Sequence, residues 1–239
     1  MKKIYLLAAI SLIYITGSMA QELTLDKVLE KYYKANAMDN LQHVKTIVMK
    51  GLIVQNDVMP LKIVKMRPDK YLMEFDVADL TSYQVYDGKT AWMTTPWTSN
   101  PNPRAMPEDR ALDVKNRADF DGLLYDWKAK GHTAQLEGTD TVDGSFAYKI
   151  KFTRKDGGVE FYSIDKKSFL MVKKVSTRMI RGKEAQVSTF FRNYKDVEGI
   201  PFPFILDSTI DGQPYSSSQF DTIELNTPVD GKIFEMPVK

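Results

Sequence analysis

The sequence predicts a mainly β fold: about eleven antiparallel strands rolled into an open barrel or half-barrel, with about three helices covering the concave face. Three observations carry this. From Phe146 to Tyr194 apolar residues alternate with polar ones in four runs joined by short turns, a β-meander. A second set of alternating runs extends from Val44 to Thr94. Between the two lies a Pro-rich stretch with helical rather than strand patterning. A sheet of so many strands is too large to stay flat, so it curls.

The elements follow in order. Leu23 to Ala37 is an amphipathic helix: Leu25, Val28, Leu29, Tyr32 and Tyr33 make one stripe, and Thr24 or Asp26 caps it. Val44 to Gln55, Val58 to Met66 and Tyr71 to Val77 read as strands, with Asn56-Asp57 and Arg67-Pro68-Asp69-Lys70 as turns. Ser82 to Tyr86 and Thr90 to Thr94 form a hairpin about Asp87-Gly88. Thr95 to Pro103 contains Pro96, Pro101 and Pro103 and is irregular, while Met106 to Lys115 and Ala118 to Lys130 look helical. In the main meander, Phe146 to Thr153 turns at Arg154–Gly158, and Val159 to Ile164 turns at Asp165–Ser168. Phe169 to Val175 and, after Arg181-Gly182-Lys183, Val187 to Tyr194 complete it. Phe204 to Asp211 and Tyr215 to Leu225 are the last strands, and the tail offers Ile233 and Phe234 for packing.

The N-terminus reads as a secretory signal peptide over residues 1–20. Lys2 and Lys3 precede the apolar run Ile4 to Ile15, and Ser18-Met19-Ala20 is a small-x-small cleavage site. The run is shorter than the ~20 residues that span a bilayer. Residues 21–239 are then expected to be one domain, exported to a periplasm and soluble. The chain has no Cys, so no disulfide holds it and no lipid can be attached at a leader cysteine. Without Lys2 and Lys3, the 33 basic and 31 acidic side chains balance, which argues against a nucleic-acid partner.

Catalytic and metal-binding patterns fail one by one. His43 and His132 are the only histidines and neither has a ligand neighbour at i+3 or i+4, so neither a metal nor another cofactor is expected. No Gly-x-Ser-x-Gly elbow occurs. Gly88-Lys89-Thr90 resembles the end of a phosphate loop, but Tyr83 stands where its first glycine belongs. Glu108/Asp109 and Asp119/Asp121 read as helix-start charges. No enzyme is expected; an envelope hydrolase with carboxylate chemistry is the form an enzyme would take.

Apolar surface remains. The Met and aromatic positions Met73, Phe75, Trp92, Tyr148, Phe152, Phe161 and Phe190 are candidates to line a trough for acyl chains; the alternative for each is a packed core residue. Trp97, Leu123 and Trp127 of the insertion are candidates for a lid.

The parts also resemble a known family. The leading helix, the strands around Asp87-Gly88-Lys89-Thr90-Ala91-Trp92, the Pro-rich insertion, "LEGTDTVDGSFAYKIKFT", "YSIDKKSFLMVKK" and "NYKDVEGIPFPF" are together similar to the LolA-like periplasmic outer-membrane lipoprotein-sorting proteins, in their divergent Bacteroidetes form. The resemblance implies an unclosed barrel of the LolA/LolB type, lidded by helices, that carries lipidated proteins, fatty acid or phospholipid between membrane-associated donor and acceptor partners as a non-catalytic monomer. It also implies a lid-closing arginine. No matching motif places one; Arg67 is a candidate, and its Arg67-Pro68 context equally suits a turn. The second functional reading is an envelope sensor that binds lipidated or misfolded proteins.

Overall fold

The computed structural model describes residues 23–180 and 182–237; the leader segment falls outside them. The chain starts with α1 (Leu25–Ala35) and α2 (Met38–Leu41). It continues through β1 (Thr46–Val54), β2 (Val58–Met66), β3 (Lys70–Val77), β4 (Leu80–Tyr86), β5 (Ala91–Met93) and β6 (Arg104–Ala105). After α3 (Glu108–Ala118) come β7 (Thr133–Val142), β8 (Ser145–Thr153), β9 (Val159–Asp165) and β10 (Met171–Ile180). The last strands are β11 (Lys183–Val197), β12 (Ile200–Ile210) and β13 (Gln213–Leu225), before a 3-10 turn at Gly231–Phe234.

All the strands belong to one antiparallel sheet of 13 strands. β1 to β6 run outward as one meander, and β7 to β13 run back as another. The two meet where β1 pairs with β13, with Ile47 opposite Leu225 and Val54 opposite Ser217. β6 and β7 are the two free edges, so the sheet does not close on itself. The segment holding α3 leaves one edge and enters the other, so it must cross the open side of the barrel.

The turns are built as their sequences require. Asp143-Gly144, Glu198-Gly199 and Asp211-Gly212 each place two consecutive residues at positive φ, the two-residue turn that matches strand twist. Asp87 accepts hydrogen bonds from the backbone N–H of Lys89 and Thr90, and Asp165 from those of Lys167 and Ser168. Thr24 caps α1 through the N–H of Lys27.

Two strands exceed the eleven expected. β6 is a two-residue pairing between prolines. β7 is an edge strand whose residues alternate between exposed and half-buried, with Leu136 nearly alone as a large apolar residue along its middle, so it lacks the hydrophobic alternation that marks an interior strand. The helix expected over 118–130 is absent. α3 ends at Ala118, and the residues after it form successive turns, because Gly122, Asp126 and Gly131 all adopt positive φ.

Apolar residues on the two faces form separate clusters. On the helix-covered concave face, one cluster joins Ile47, Leu61, Ile63, Tyr71, Met73, Met93, Phe204, Phe220 and Ile223 to Val114 and Ala118 of α3 and to Phe120. A second joins Tyr148, Ile150, Phe152, Tyr162 and Ile164 to Val28 and Leu29 of α1 and to Leu123 and Leu124. The opposite face carries Val48, Val64, Leu72, Val85 and Trp92, sealed by Phe234.

Candidate ligand-binding face

Strand register assigns each candidate residue to a face. Met73 is buried in the cluster beneath α3, and Phe75 packs at its margin, 6.1 Å between ring centroids from Trp97. Tyr148 and Phe152 lie beneath α1, where the fully buried Phe152 ring meets Tyr162 edge-on. These four side chains are on the helix-covered face. Trp92, Phe161 and Phe190 are not. Trp92 pairs with Val85 on the other face and donates its indole N–H to the Phe234 carbonyl at 2.8 Å. Phe161 is covered by the Lys149 ammonium, 4.7 Å from its ring. Phe190 sits opposite Lys173 and Asp207 with the Arg192 guanidinium over its ring. β9 presents Tyr162 and Ile164, not Phe161, to the concave side, because Ile150 pairs with Tyr162 and Tyr148 with Ile164.

Of the insertion residues, Leu123 is buried and Trp127 packs at the edge of the α1 cluster, whereas Trp97 is exposed at the far end of the sheet beside Phe75. Tyr33 of α1 donates to the Leu124 carbonyl at 2.6 Å and stands edge-to-face with Tyr125, so α1 and the 119–131 segment form one cover. A depression of about 480 Å³ opens between them, lined by Leu29, Tyr33, Met38, Tyr125 and Trp127 with Asp26, Glu30 and Asp126 at its rim.

Polar groups at the rim fasten this cover. Arg67, after β2, donates to both carboxylate oxygens of Asp121 and to the carbonyls of Val44 and Leu41. Its guanidinium also lies over Phe120, 4.2 Å from the ring centroid. One side chain thus ties α2, β1 and the 119–131 segment together. Lys65, two residues earlier near the end of β2, donates to the Asp119 carbonyl at 2.8 Å. Burial pushes the Lys65 ammonium down to about 8 against the pull of Asp119 and Asp121. Lys130 closes the segment on itself through Asp119 and the Gly122 carbonyl.

α3 is fastened on its far side. It packs against β3, β4 and β5, and its Asp113 reaches Arg178 of β10 at 2.8 Å and Arg117 at 3.0 Å. Deeper in, Glu160 of β9 is nearly inaccessible and binds Arg154 at 2.7 Å, Lys174 at 2.9 Å and the Tyr162 hydroxyl. Burial works to raise the Glu160 carboxyl, but Lys174, Tyr162 and Arg154 outweigh it and hold it below its ordinary value. Burial likewise works to raise Asp113, and Arg117 and Arg178 hold it down.

The concave face is therefore not uniformly apolar. Tyr162 stands opposite Lys174, Lys174 opposite Thr189, Thr189 opposite Ser208 and Ser208 opposite Ser216. This row runs from Tyr162 of the second cluster across β10 and β11 to β12 and β13. Sequence alternation alone did not show it, because Lys174 looks like any solvent-facing lysine until the register places it beside Tyr162. Among the described residues no cluster of His, Asp or Glu has the spacing to hold a metal ion, and no helix is long and apolar enough to cross a membrane.

No protein-family model matches the chain, and no curated protein matches it. Solved structures do. A DUF1329 family protein from Desulfovibrio piger superposes with TM-score 0.61 at 15% identity, covering 87% of this chain and 97% of that one. A LolA superfamily protein from Nitrosomonas europaea gives 0.60 at 15% identity, covering 89% and 98%. A domain named for outer membrane lipoprotein sorting, from Vibrio parahaemolyticus, gives 0.59 at 12% identity, covering 87% and 96%. The fold of this chain is LolA-like.

Proposed function

We propose that this LolA-like half-barrel is a non-catalytic periplasmic carrier that binds acyl chains, of lipidated proteins or of free lipid, on its concave face. The observation that carries the reading is the nature of the cover. The apolar clusters of the sheet are sealed not by a second sheet but by α1, α3 and the 119–131 segment. Those are fastened at their rims by polar ties: Arg67 to Asp121, Lys65 to the Asp119 carbonyl, and Arg178 to Asp113. Each tie is a small set of hydrogen bonds whose loss costs on the order of 1–3 kcal/mol. The apolar area beneath is thus available to another apolar molecule, and each buried CH₂ contributes about 0.8 kcal/mol.

The relative named for lipoprotein sorting supports the same reading. The leader-like pattern over residues 1–20 fits export and the lack of cysteine fits an unanchored protein; in this reading the chain is a single-domain monomer that exchanges cargo with membrane-associated donor and acceptor proteins. The test is native mass spectrometry with lipid extraction of protein purified from its envelope, followed by titration with an acylated peptide and its unacylated twin. The carrier retains lipid and binds the acylated peptide selectively. Protein that is empty and indifferent to acylation overturns the reading.

A further inference from the structure

Beneath α3, basic side chains of the sheet meet carboxylates, one of which comes from α3 itself. Arg178 of β10 takes the Asp113 carboxylate at 2.8 Å, from a helix whose packing contacts are otherwise with β3, β4 and β5 on the opposite side of the barrel. Lys174, on the same face of β10, is within electrostatic reach of Asp113 and is bound to Glu160 at 2.9 Å. Arg154 shares Glu160 with Lys174 and also binds Asp156 at the β8–β9 turn. Arg117 of α3 binds Asp113 at 3.0 Å.

When α3 lifts, Asp113 and Arg117 leave together. The sheet keeps Arg154, Lys174 and Arg178 against Glu160 and Asp156, an excess of positive charge with Arg178 bared. Burial lowers both Lys174 and Arg178 from their ordinary values, and Glu160 and Asp113 respectively oppose that. Half-buried guanidinium and ammonium groups of this kind are stabilised by an anion in charge-assisted hydrogen bonds. Apolar surface begins one strand away: Tyr162 is directly opposite Lys174 and belongs to the cluster around Ile150 and Phe152.

Resting on the carrier reading, we propose that the cargo is an acidic amphiphile: its carboxylate or phosphate takes the place of Asp113 on Arg178, within electrostatic reach of Lys174, and its chain lies on the apolar residues of the concave face. Asp113 is then an internal stand-in for the head group. A neutral amphiphile gains the apolar contacts but must leave Arg178 without its anion.

The full mature chain is titrated by displacement of a neutral fluorescent naphthylamine with dodecanoate, dodecyl phosphate and dodecanol. Wild type binds the two acids about tenfold more tightly than the alcohol, the scale of one charge-assisted contact. The ratio of dodecanoate to dodecyl phosphate tells a fatty acid from a phosphate head group. Arg178→Gln brings the acids down to the alcohol and leaves the alcohol unchanged. Asp113→Asn, which keeps Arg178 and removes its competitor, strengthens the acids severalfold, and it decides the matter alone if Arg178→Gln does not fold. Equal affinity for acid and alcohol, unmoved by either substitution, overturns the anion site and leaves the carrier reading standing. Displacement by none of the three overturns both.

Discussion

Arg67 and Asp121 form a two-pronged ion pair, with the guanidinium donating at 2.9 Å and 2.5 Å to the two carboxylate oxygens across 54 residues of chain. The arginine belongs to the sheet and the aspartate to the cover. The same guanidinium also satisfies the Leu41 carbonyl at the end of α2 and the Val44 carbonyl ahead of β1. Arg67→Leu leaves those acceptors and a half-buried carboxylate without a partner, a loss on the order of 1–3 kcal/mol. Amide exchange should rise across residues 119–131 more than across β8 and β9. Arg67→Lys keeps the charge but not the fork and should fall between. An exchange pattern unchanged by Arg67→Leu would show that the pair does not fasten the cover.

Phe152 and Phe234 are both fully buried, on opposite faces of the sheet. Truncating either to alanine should cost about 3–5 kcal/mol by denaturant titration. The two differ in what else they disturb. Phe234→Ala frees the contact beneath which the Trp92 indole donates to the chain, so tryptophan emission should shift red. Phe152→Ala should loosen α1 and, with both variants made in a Trp97→Phe, Trp127→Phe background that leaves Trp92 as the sole indole, should leave that emission in place. Identical fluorescence changes in the two variants would contradict the separation of the faces.

Lys65 gives the fold a pH signature. Burial lowers its folded-state value to about 8, below an unfolded lysine near 10.4. Between those values the unfolded chain binds a proton that the folded chain does not, so this group makes stability rise with pH in that window. Below about 8 the cost of holding Lys65 charged is fully present. Lys65→Met should flatten the rise, measured as the difference in urea midpoint between the two proteins from pH 7 to 10. A parallel pair of curves would show that Lys65 titrates normally.

Leu206 lies half-buried on the concave side of β12, opposite Ser218 of β13 and beside the α3 cluster. Leu206→Glu puts a charge among the side chains that acyl groups are proposed to touch, with water close enough to tolerate it. Stability should fall by about 1–3 kcal/mol, while affinity for an acylated peptide, measured on the folded protein, should drop about tenfold or more. Undiminished affinity would move the cargo away from this part of the face.

Much of the sheet was legible because its strands bury one face and turn on Asp-Gly, Glu-Gly and Pro signals. The faces themselves were not. Trp92 and Met73 both look like trough residues in isolation, and only the pairing of Met73 with Gln84, Gln84 with Met93 and Val85 with Trp92 shows that they point to opposite sides. Phe161 fails the same way: β9 carries aromatic residues at both parities, Phe161 and Tyr162, and the register with β8 chooses between them. The 118–130 helix was misread from the spacing of Leu123, Leu124 and Trp127, which are indeed turned inward or toward the edge of one cluster, but by successive turns through Gly122 and Asp126. Arg67 was a candidate lid-closing arginine only through the family resemblance; its own context offered no more than an Arg-Pro turn, since its partner lies 54 residues away.

The adjacency of β1 and β13 sets an order of events for the chain. The strand that starts at Thr46 waits for a partner that ends at Leu225. Each meander can zip up from local hairpins, yet the two halves join only through that one distant pairing, and such contacts form late because they close the longest loop. A chain still emerging from a ribosome or a translocation pore therefore holds two unjoined half-sheets, with Met49, Ile53, Phe220 and Ile223 uncovered along the seam. Completion of the sheet therefore waits for synthesis of β13, however early the strands of each half have paired.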